Sequence, residues 1–340
     1  MNLIRTAKKS MLSIFIFSLL HSAALGAEKN MVIKMVTLAP EGSAWMQVFN
    51  ELNADVAAKT DKKVEFKMYP GGVMGDEKDM LRKMHIGQVQ AAALSGTSLS
   101  TIFKEMNVFQ VPFLFETHDE VDHILGKMDS SLKKGLEEHG YILLGWSEGG
   151  FIRLLSTVPI NTLDELKKAK VWTWEDAPMA KAIFDEAQIS AVPLSIPDVL
   201  LGLQTGMVEV VYAPPAGAIS LQWFTRVKYL TDVPVIYLAG AIVMKKNVFN
   251  TMPQAVQDVI VESFKSFQGR FKEVVRSQNQ EAIKVMEKHG IQVLKPSKEE
   301  IQKFRTLSSK AMQHLGTRYL SKEVLAEVYG YLEAYRKAKK

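Results

Sequence analysis

Short stretches in which apolar and polar residues alternate are separated along this chain by longer stretches with apolar residues at helical spacing. The alternating stretches predict strands over residues 31–38, 63–69, 89–94, 141–146, 171–174, 208–212, 228–230 and 236–244. The helical spacing predicts helices over about residues 43–60, 76–87, 118–139, 177–187, 196–205 and 253–288, followed by two or three more. Strands that alternate with helices are typical of an α/β fold built on a largely parallel sheet.

The longest predicted helix, residues 253–288, is amphipathic. Apolar side chains recur near one of its faces, at Val256, Ile260, Phe264, Phe267 and Phe271. At 1.5 Å per residue this helix is about 50 Å long, which exceeds one small domain. We therefore expect it to run across two domains.

The N-terminus has the three parts of a secretory signal peptide. Arg5, Lys8 and Lys9 form a basic segment, residues 11–20 an apolar one, and residues 23–27 a zone of small residues suited to cleavage. The apolar run is about half of the roughly 20 residues that span a bilayer. We predict that residues 1–27 are a cleaved signal peptide and that the mature protein is soluble in the periplasm.

Composition narrows the function classes. Apolar residues make up 47% and charged residues 23%, as in a globular protein with a large core. The chain has no Cys, which excludes thiol catalysis and a Cys metal site. Removal of the signal peptide lowers the formal charge from +5 to +2, so we expect no nucleic-acid partner. No phosphate-binding glycine loop or nucleophile elbow is present, and we expect no enzymatic activity, cofactor or metal.

Four motifs together carry a family resemblance: YPGGVMGDE at 69–77, VPFLFET at 111–117, PINTLDELKKAKV at 159–171 and VLLGLQTGMVEV at 199–210. In this order and spacing they resemble the solute-binding proteins of tripartite ATP-independent periplasmic (TRAP) transporters, dicarboxylate-type family. The resemblance implies a two-domain periplasmic binding protein fold, with two α/β domains around a cleft and a long bridging helix. It also implies delivery of a solute to TRAP membrane permease subunits.

The resemblance also implies domain boundaries. We predict that domain I comprises residues 28–150 plus about 238–278, and that domain II comprises residues 151–237 plus about 279–340. The chain would then cross between the domains near Gly150 and Tyr237.

Two positions depart from the family pattern. Trp172 stands where the family usually has an Arg that grips a carboxylate, and Ala213 stands where an Asn commonly holds the solute. An indole offers one donor and a large apolar face. We therefore expect a largely hydrophobic ligand, as in the family subgroup that works beside a periplasmic tetratricopeptide-repeat protein. The resemblance places further candidate ligand-binding residues at Tyr212, Trp174, Tyr69 and Trp45. Met207 is a candidate because Met can line adaptable apolar pockets.

Arg153 supports a different ligand. It lies where family members carry an Arg near the solute, and its alternative role is a structural ion pair with an acid such as Glu148. If Arg153 contacts the solute, the ligand is a small organic acid. A scaffold protein without any solute is a further alternative, and an empty cleft in every preparation would favour it.

Overall fold

The computed structural model describes residues 30–175 and 177–339. The predicted signal peptide, residues 1–27, lies outside the described residues. The described residues form nine strands: β1 Met31–Val36, β2 Val64–Tyr69, β3 Ala91–Ser95, β4 Tyr141–Ser156, β5 Val171–Trp174, β6 Ala191–Leu194, β7 Val210–Ala213, β8 Tyr229–Lys245 and β9 Gln292–Leu294.

Twelve α-helices lie among these strands in the described ranges. They are α1 Ala44–Lys59, α2 Glu77–His85, α3 Gly96–Ile102, α4 His118–Glu138, α5 Leu163–Lys168, α6 Pro178–Glu186, α7 Val199–Gln204, α8 Pro215–Ser220, α9 Lys246–Phe249, α10 Gln254–Lys288, α11 Lys298–Leu315 and α12 Lys322–Ala338. Side-chain caps define several helix starts: Ser43 accepts from Met46 N, and Thr162 forms a capping box with Glu165. Across residues 30–175 and 177–339, no helix combines the length and apolarity needed to cross a bilayer.

All the strands join one mixed sheet in the order β2-β1-β3-β8-β4-β7-β5-β6, with β9 pairing to β8. Strands β1, β2 and β3 run parallel to each other, as do β5, β6 and β7 where they pair. Strand β8 is antiparallel to β3 and β4, and β4 is antiparallel to β7. The predicted α/β class is confirmed. We call the β2-β1-β3 end of the sheet, with its helices, the first half, and the β7-β5-β6 end the second half.

Strands β4 and β8 belong to both halves. Their ladder is interrupted by register shifts at three places, between Leu143 and Gly145, Glu148 and Gly150, and Ile152 and Leu154. Such bulges bend a pair of strands and increase its twist. Gly150 pairs with Leu238 and Phe151 with Tyr237, so the two predicted crossing positions are neighbours in the ladder. The exact domain boundaries stay a prediction.

Several elements differ from the sequence prediction. β4 continues to Ser156 instead of ending at Trp146, and β8 is one strand of 17 residues instead of two shorter ones. Bulges explain the interruption in the pattern, because each bulge shifts the alternation by one residue. β6 was not predicted because it contains Pro193; it lies at the edge of the sheet, where a strand tolerates proline.

Helix α10 has 35 residues and packs against both halves. Its Phe264 ring lies 5.7 Å from Phe66 and 6.3 Å from Phe49, inside the core of the first half. Near its other end, Met286 is buried in the core that contains Trp172 and Leu230. The helix therefore spans both halves, as its length predicted.

A buried ion pair joins α10 to the region where β4 passes between the halves. Arg276 donates to Glu148 through Nε at 2.8 Å and Nη2 at 3.1 Å, and to both Asp122 oxygens at 2.8 and 2.9 Å. The Glu148 side chain is only 4% exposed, so its charge depends on this partner. Asn279, one turn later, donates to Gly149 O and accepts from Ala216 N, which ties the same bend to α8.

We predict that Arg276→Ala lowers the free energy of unfolding by about 3 kcal/mol, because it leaves Glu148 buried without its cation. Urea unfolding followed by circular dichroism measures this change. Arg270→Ala on the same helix is the matched control, since its pair with Glu51 is half exposed and should contribute less than about 1 kcal/mol. Equal losses for the two variants would contradict the prediction.

Candidate functional site

A cavity of about 330 Å³ lies between the two halves, against the bent segment of β4 and β8. Its volume lies within the usual range for small-molecule sites. The first half contributes Leu38, Trp45, Glu77, Ser95, Thr97 and Gln110, and the second half contributes Trp172, Trp174, Met179, Ile183, Tyr212, Ala213 and Trp223. We call this space the central cavity. These wall residues all lie within the described ranges, 30–175 and 177–339.

The wall from the second half is aromatic. Trp172, on β5, is 3% exposed, and its ring lies 4.7 Å from Tyr212 and 5.2 Å from Trp223. The Trp172 indole Nε1 donates to Leu194 O at 3.1 Å, which fixes the ring in the cavity wall. The single donor of this indole is therefore already used, and the ring presents an apolar face.

The wall from the first half is polar at one end. Helix α3 and the 3₁₀ turn that follows it, Lys104–Gln110, bring hydroxyl and amide groups to the cavity at Ser95, Thr97, Ser100, Asn107 and Gln110. Thr97 donates to Gln110 Oε1 at 3.2 Å. Gln110 Nε2 is buried and has no hydrogen-bond partner among the described residues. A buried donor of this kind can serve a bound solute.

A carboxylate connects the two halves across the cavity mouth. Asp76 Oδ2 accepts a hydrogen bond from Trp174 Nε1 at 2.8 Å and another from Ile196 N at 3.2 Å. Its second oxygen, Oδ1, accepts from Glu77 N and caps α2. We call the contacts of Oδ2 the Asp76 latch. It joins the first half to the second half.

Glu77, next to the latch, is a second buried carboxyl group in the cavity wall. Ser95 donates to it from its backbone N, at 3.0 and 3.1 Å, and from its hydroxyl, at 2.7 Å. Burial raises the pKa of Glu77 to about 7, even though hydrogen bonds from Ser98 and Ser95 oppose that shift. Glu77 therefore changes charge near neutral pH. Asp76 and Glu77 open α2 and are both buried, at 7% and 4% exposure.

No Arg, Lys or His is among the described residues that line the central cavity. Two guanidinium groups lie beside it. Arg276 bonds Glu148, a lining residue, and its hydrogen bonds to Glu148 and Asp122 use all three of its nitrogens. Arg153 lies on β4 as the Cα partner of Ala213.

The structure does not place Arg153 in the lining of the central cavity. Its Nε donates to Asp232 Oδ1 at 2.7 Å, so the predicted alternative partner, Glu148, is replaced by Asp232 on β8. Nη1 and Nη2 make no hydrogen bond to another described residue. Arg153 therefore keeps two donors, and the adjacent Ile152 and the paired Ala213 both line the cavity.

The other candidate residues divide into two groups. Trp172, Trp174, Tyr212, Ala213 and Trp45 line the central cavity. Tyr69 and Met207 do not. Tyr69 packs against the core of the first half at the end of β2, and Met207 is 51% exposed in the turn before β7. Both residues lie in motifs, and a position in a motif does not determine where a turn points.

Sequence reasoning missed the polar end and the latch. Ser95, Thr97 and Gln110 belong to a segment with no distinctive motif, and only the fold brings it to the cavity. Asp76 and Trp174 are 98 residues apart in the chain, so no local pattern links them. The available sequence signal was the acidic pair Asp76 and Glu77 at the start of α2. Helix capping explains such a pair by itself, so the pair does not predict the contact of Asp76 with Trp174.

Relatives of known sequence support a binding role. The 2,3-diketo-L-gulonate-binding periplasmic protein YiaO of Escherichia coli is 25% identical over 251 residues, which cover 72% of this chain and 74% of that protein.

Solved structures share the fold over almost their whole length. The sugar acid binding protein DctPAm of Advenella mimigardefordensis, in complex with galactonate, superposes with a TM-score of 0.85 at 21% identity and covers 90% of this chain and 99% of that one. A TRAP periplasmic solute binding protein of Desulfovibrio salexigens with bound orotic acid gives a TM-score of 0.81 at 17% identity, with coverages of 89% and 99%. The predicted two-domain periplasmic binding protein fold is confirmed.

The family model for bacterial extracellular solute-binding proteins, family 7 (DctP), matches residues 35–318. This match covers most of the chain and contains every residue of the cavity wall named above. The family consists of binding proteins, in agreement with the prediction that the chain is not an enzyme. The chain belongs to the bacterial extracellular solute-binding proteins of family 7.

Proposed function

We propose that this protein captures a small organic acid in the central cavity, outside the cytoplasm, and delivers it to the membrane permease of a TRAP-type transporter. The observation that carries the proposal is the cavity itself, which is walled by both halves and lies beside the Asp76 latch that joins them. Closure around a solute is the way in which two-domain binding proteins commit a ligand for transfer.

The expected hydrophobic solute needs correction. The ligands named for the relatives are acids: a diketogulonate, galactonate and orotic acid. These comparisons favour the organic-acid alternative, and they give no support to a lipid ligand or to a tetratricopeptide-repeat partner. The substitution at Trp172 changes the wall of the cavity, and that change does not by itself exclude an acid.

Arg153 is the proposed anchor for the carboxylate. Arg276 makes four hydrogen bonds to Asp122 and Glu148 and is held between these two carboxylates, whereas Arg153 bonds one carboxylate through Nε alone. Asp232 bonds Nε and so orients the guanidinium, whose remaining nitrogens match the two oxygens of a carboxylate. The solute head group would then lie at the edge of the cavity formed by Ile152 and Ala213.

The remaining walls define the rest of the solute. The unpartnered Gln110 Nε2 can donate to a hydroxyl or carbonyl oxygen of the solute, and the Thr97 hydroxyl, which donates to Gln110 Oε1, can still accept from a solute hydroxyl. The rings of Trp172 and Tyr212 suit an apolar or planar body, with a gain of about 25 cal/mol per Å² buried. The proposed ligand is therefore an acid with both a polar and an apolar portion.

Substitution of Arg153 tests the anchor. We expect Arg153→Ala to weaken binding of an acid such as galactonate or orotate about 10- to 100-fold, because a charge-assisted hydrogen-bonded pair is lost. Arg153→Lys keeps the charge without the fork and should fall between. Isothermal titration calorimetry gives the affinities, and Arg226→Ala, an exposed residue away from the cavity, is the control. Unchanged affinity in Arg153→Ala would refute this anchor.

Removal of the latch donor should destabilise the closed form. Trp174→Phe keeps an aromatic ring and loses the hydrogen bond to Asp76, a bond to a charged group that contributes ~1.5–3 kcal/mol. We expect roughly tenfold weaker binding and faster solute release in stopped-flow measurements. Trp146→Phe is the matched control, because its indole donates to Asp129 within the first half, at 2.7 Å. Equal effects of both variants would contradict a role in closure.

Binding of an anion should depend on pH through Glu77. The pKa of about 7 means that Glu77 is neutral below this pH and negative above it. An anionic solute about 10 Å away would then be repelled by ~1.7 kcal/mol at an effective dielectric constant of about 20. Affinity should fall about tenfold between pH 6 and pH 8.

Glu77→Gln removes the charge and should abolish most of this pH dependence. Glu105→Gln is the control, because Glu105 is also buried but bonds Ser321 and does not line the cavity. Titrations at several pH values compare the variants. A pH profile that Glu77→Gln leaves unaltered would show that another group is responsible.

A further inference from the structure

A second cavity adjoins the central one. It measures about 100 Å³ and shares the residues Ile152, Ala180, Ile183, Tyr212 and Ile236 with the central cavity. Beyond these shared residues it is bounded mainly by apolar side chains of the second half, together with Pro112 and Phe113 from the loop before α4. We call it the tail chamber, defined by Phe113, Leu166, Phe184, Phe304, Leu307 and Ser308 together with the shared residues.

The ring of Tyr212 forms the partition between the two spaces. It lies 4.7 Å from Trp172, in the central cavity, and 6.1 Å from Phe184, in the tail chamber. The Tyr212 hydroxyl accepts a hydrogen bond from Trp174 N at 3.4 Å, which holds the ring beside the opening. Tyr212 therefore lines both spaces at once.

The chamber is unsuited to water. Its polar side chains are few, and Thr231 already donates to Ile160 O at 2.7 Å. A buried water needs two to four polar partners, although the volume is several times the ~10–15 Å³ that one water requires. An apolar cavity that shares lining residues with a binding site suits an apolar part of a ligand.

The backbone beside the chamber is strained. Phe113 has a φ of 59°, in the left-handed region that a bulky residue rarely adopts. Its N donates to Val235 O at 2.7 Å, and the Arg305 guanidinium lies 5.5 Å from its ring centre. Strain that is held in place by such contacts is characteristic of functional sites. Here it keeps the Phe113 ring in the chamber wall.

We infer that the tail chamber receives the apolar substituent of the solute, while the acid group stays in the central cavity. The ligand class is thereby narrowed to monocarboxylic acids that carry an alkyl or aryl tail. This inference rests on the proposed function, because it assumes an acid head group. It adds a second subsite that sets the length of the tail.

A series of straight-chain acids from propanoate to decanoate tests the chamber by calorimetry. We expect affinity to rise about fourfold with each added methylene until the chamber is full, and then to level off. Affinity that does not change with chain length would overturn the inference.

Two variants change the volume of the chamber. Ser308→Phe fills the chamber from α11, so affinity should level off at a shorter acid. Leu307→Ala enlarges the chamber, so affinity should level off at a longer acid. Ser309→Phe, the next residue on the helix, is exposed and outside the lining, so it should behave as the unaltered protein. Leu307→Ala keeps the test decisive if Ser308→Phe does not fold.

The outcomes separate the two proposals. Binding of galactonate or orotate without any gain from tail length overturns the tail chamber and leaves the proposed function intact. Identical profiles for Ser308→Phe and Ser309→Phe also overturn the chamber. Absence of binding by every acid overturns both proposals together.

Discussion

Strands β4 and β8 pair along almost their whole length, and both halves of the molecule are assembled on this one ladder. The central cavity lies where the ladder bends, beside the register shift between Glu148 and Gly150. Gly149 and Gly150 are required there: a Cβ on Gly149 would lie 2.6 Å from Leu238, and one on Gly150 2.6 Å from Asn279. Gly150 also has a φ of +94°, which glycine adopts at no steric cost. The bend, the buried pair that supports it and the cavity are thus one structural unit.

In the binding mode that we propose, an acidic solute fits an aromatic wall because the cation and the rings lie on different strands. Trp172 on β5 supplies an apolar surface, and the cation that can receive a carboxylate lies on β4 instead. Asp232 keeps Arg153 oriented without using its two terminal nitrogens. The presence of Trp172 in place of the family's usual arginine is therefore compatible with anion binding. In the proposed mode Arg153 binds the anion at one edge of the cavity, and the rest of the wall contacts the uncharged part of the solute.

The sequence predicted the elements that depend on local pattern, and it failed where contacts are distant in the chain. The strands β1, β2 and β5 and the helix α10 follow from alternation and helical spacing. The aromatic wall at Trp172, Trp174 and Tyr212 was reached through motif position. The pairing of Arg153 with Asp232, the full length of β4, and the short strands β6 and β9 depend on packing between residues far apart in sequence. Met207 shows the limit of motif position, because the turn that carries it points into solvent.

The two oxygens of Asp76 accept hydrogen bonds from different parts of the molecule. Oδ1 accepts from the first residue of α2, and Oδ2 accepts from Trp174 and Ile196 of the second half. An amide at this position offers one acceptor only, so Asn could satisfy the helix end or the opposite lobe but not both at once. A longer Glu would displace the oxygens from at least one of these donors. A substitution at Asp76 that alters the contact between the two halves therefore also alters the start of α2. Because Glu77 is the first residue of that helix, its position in the cavity wall is affected as well.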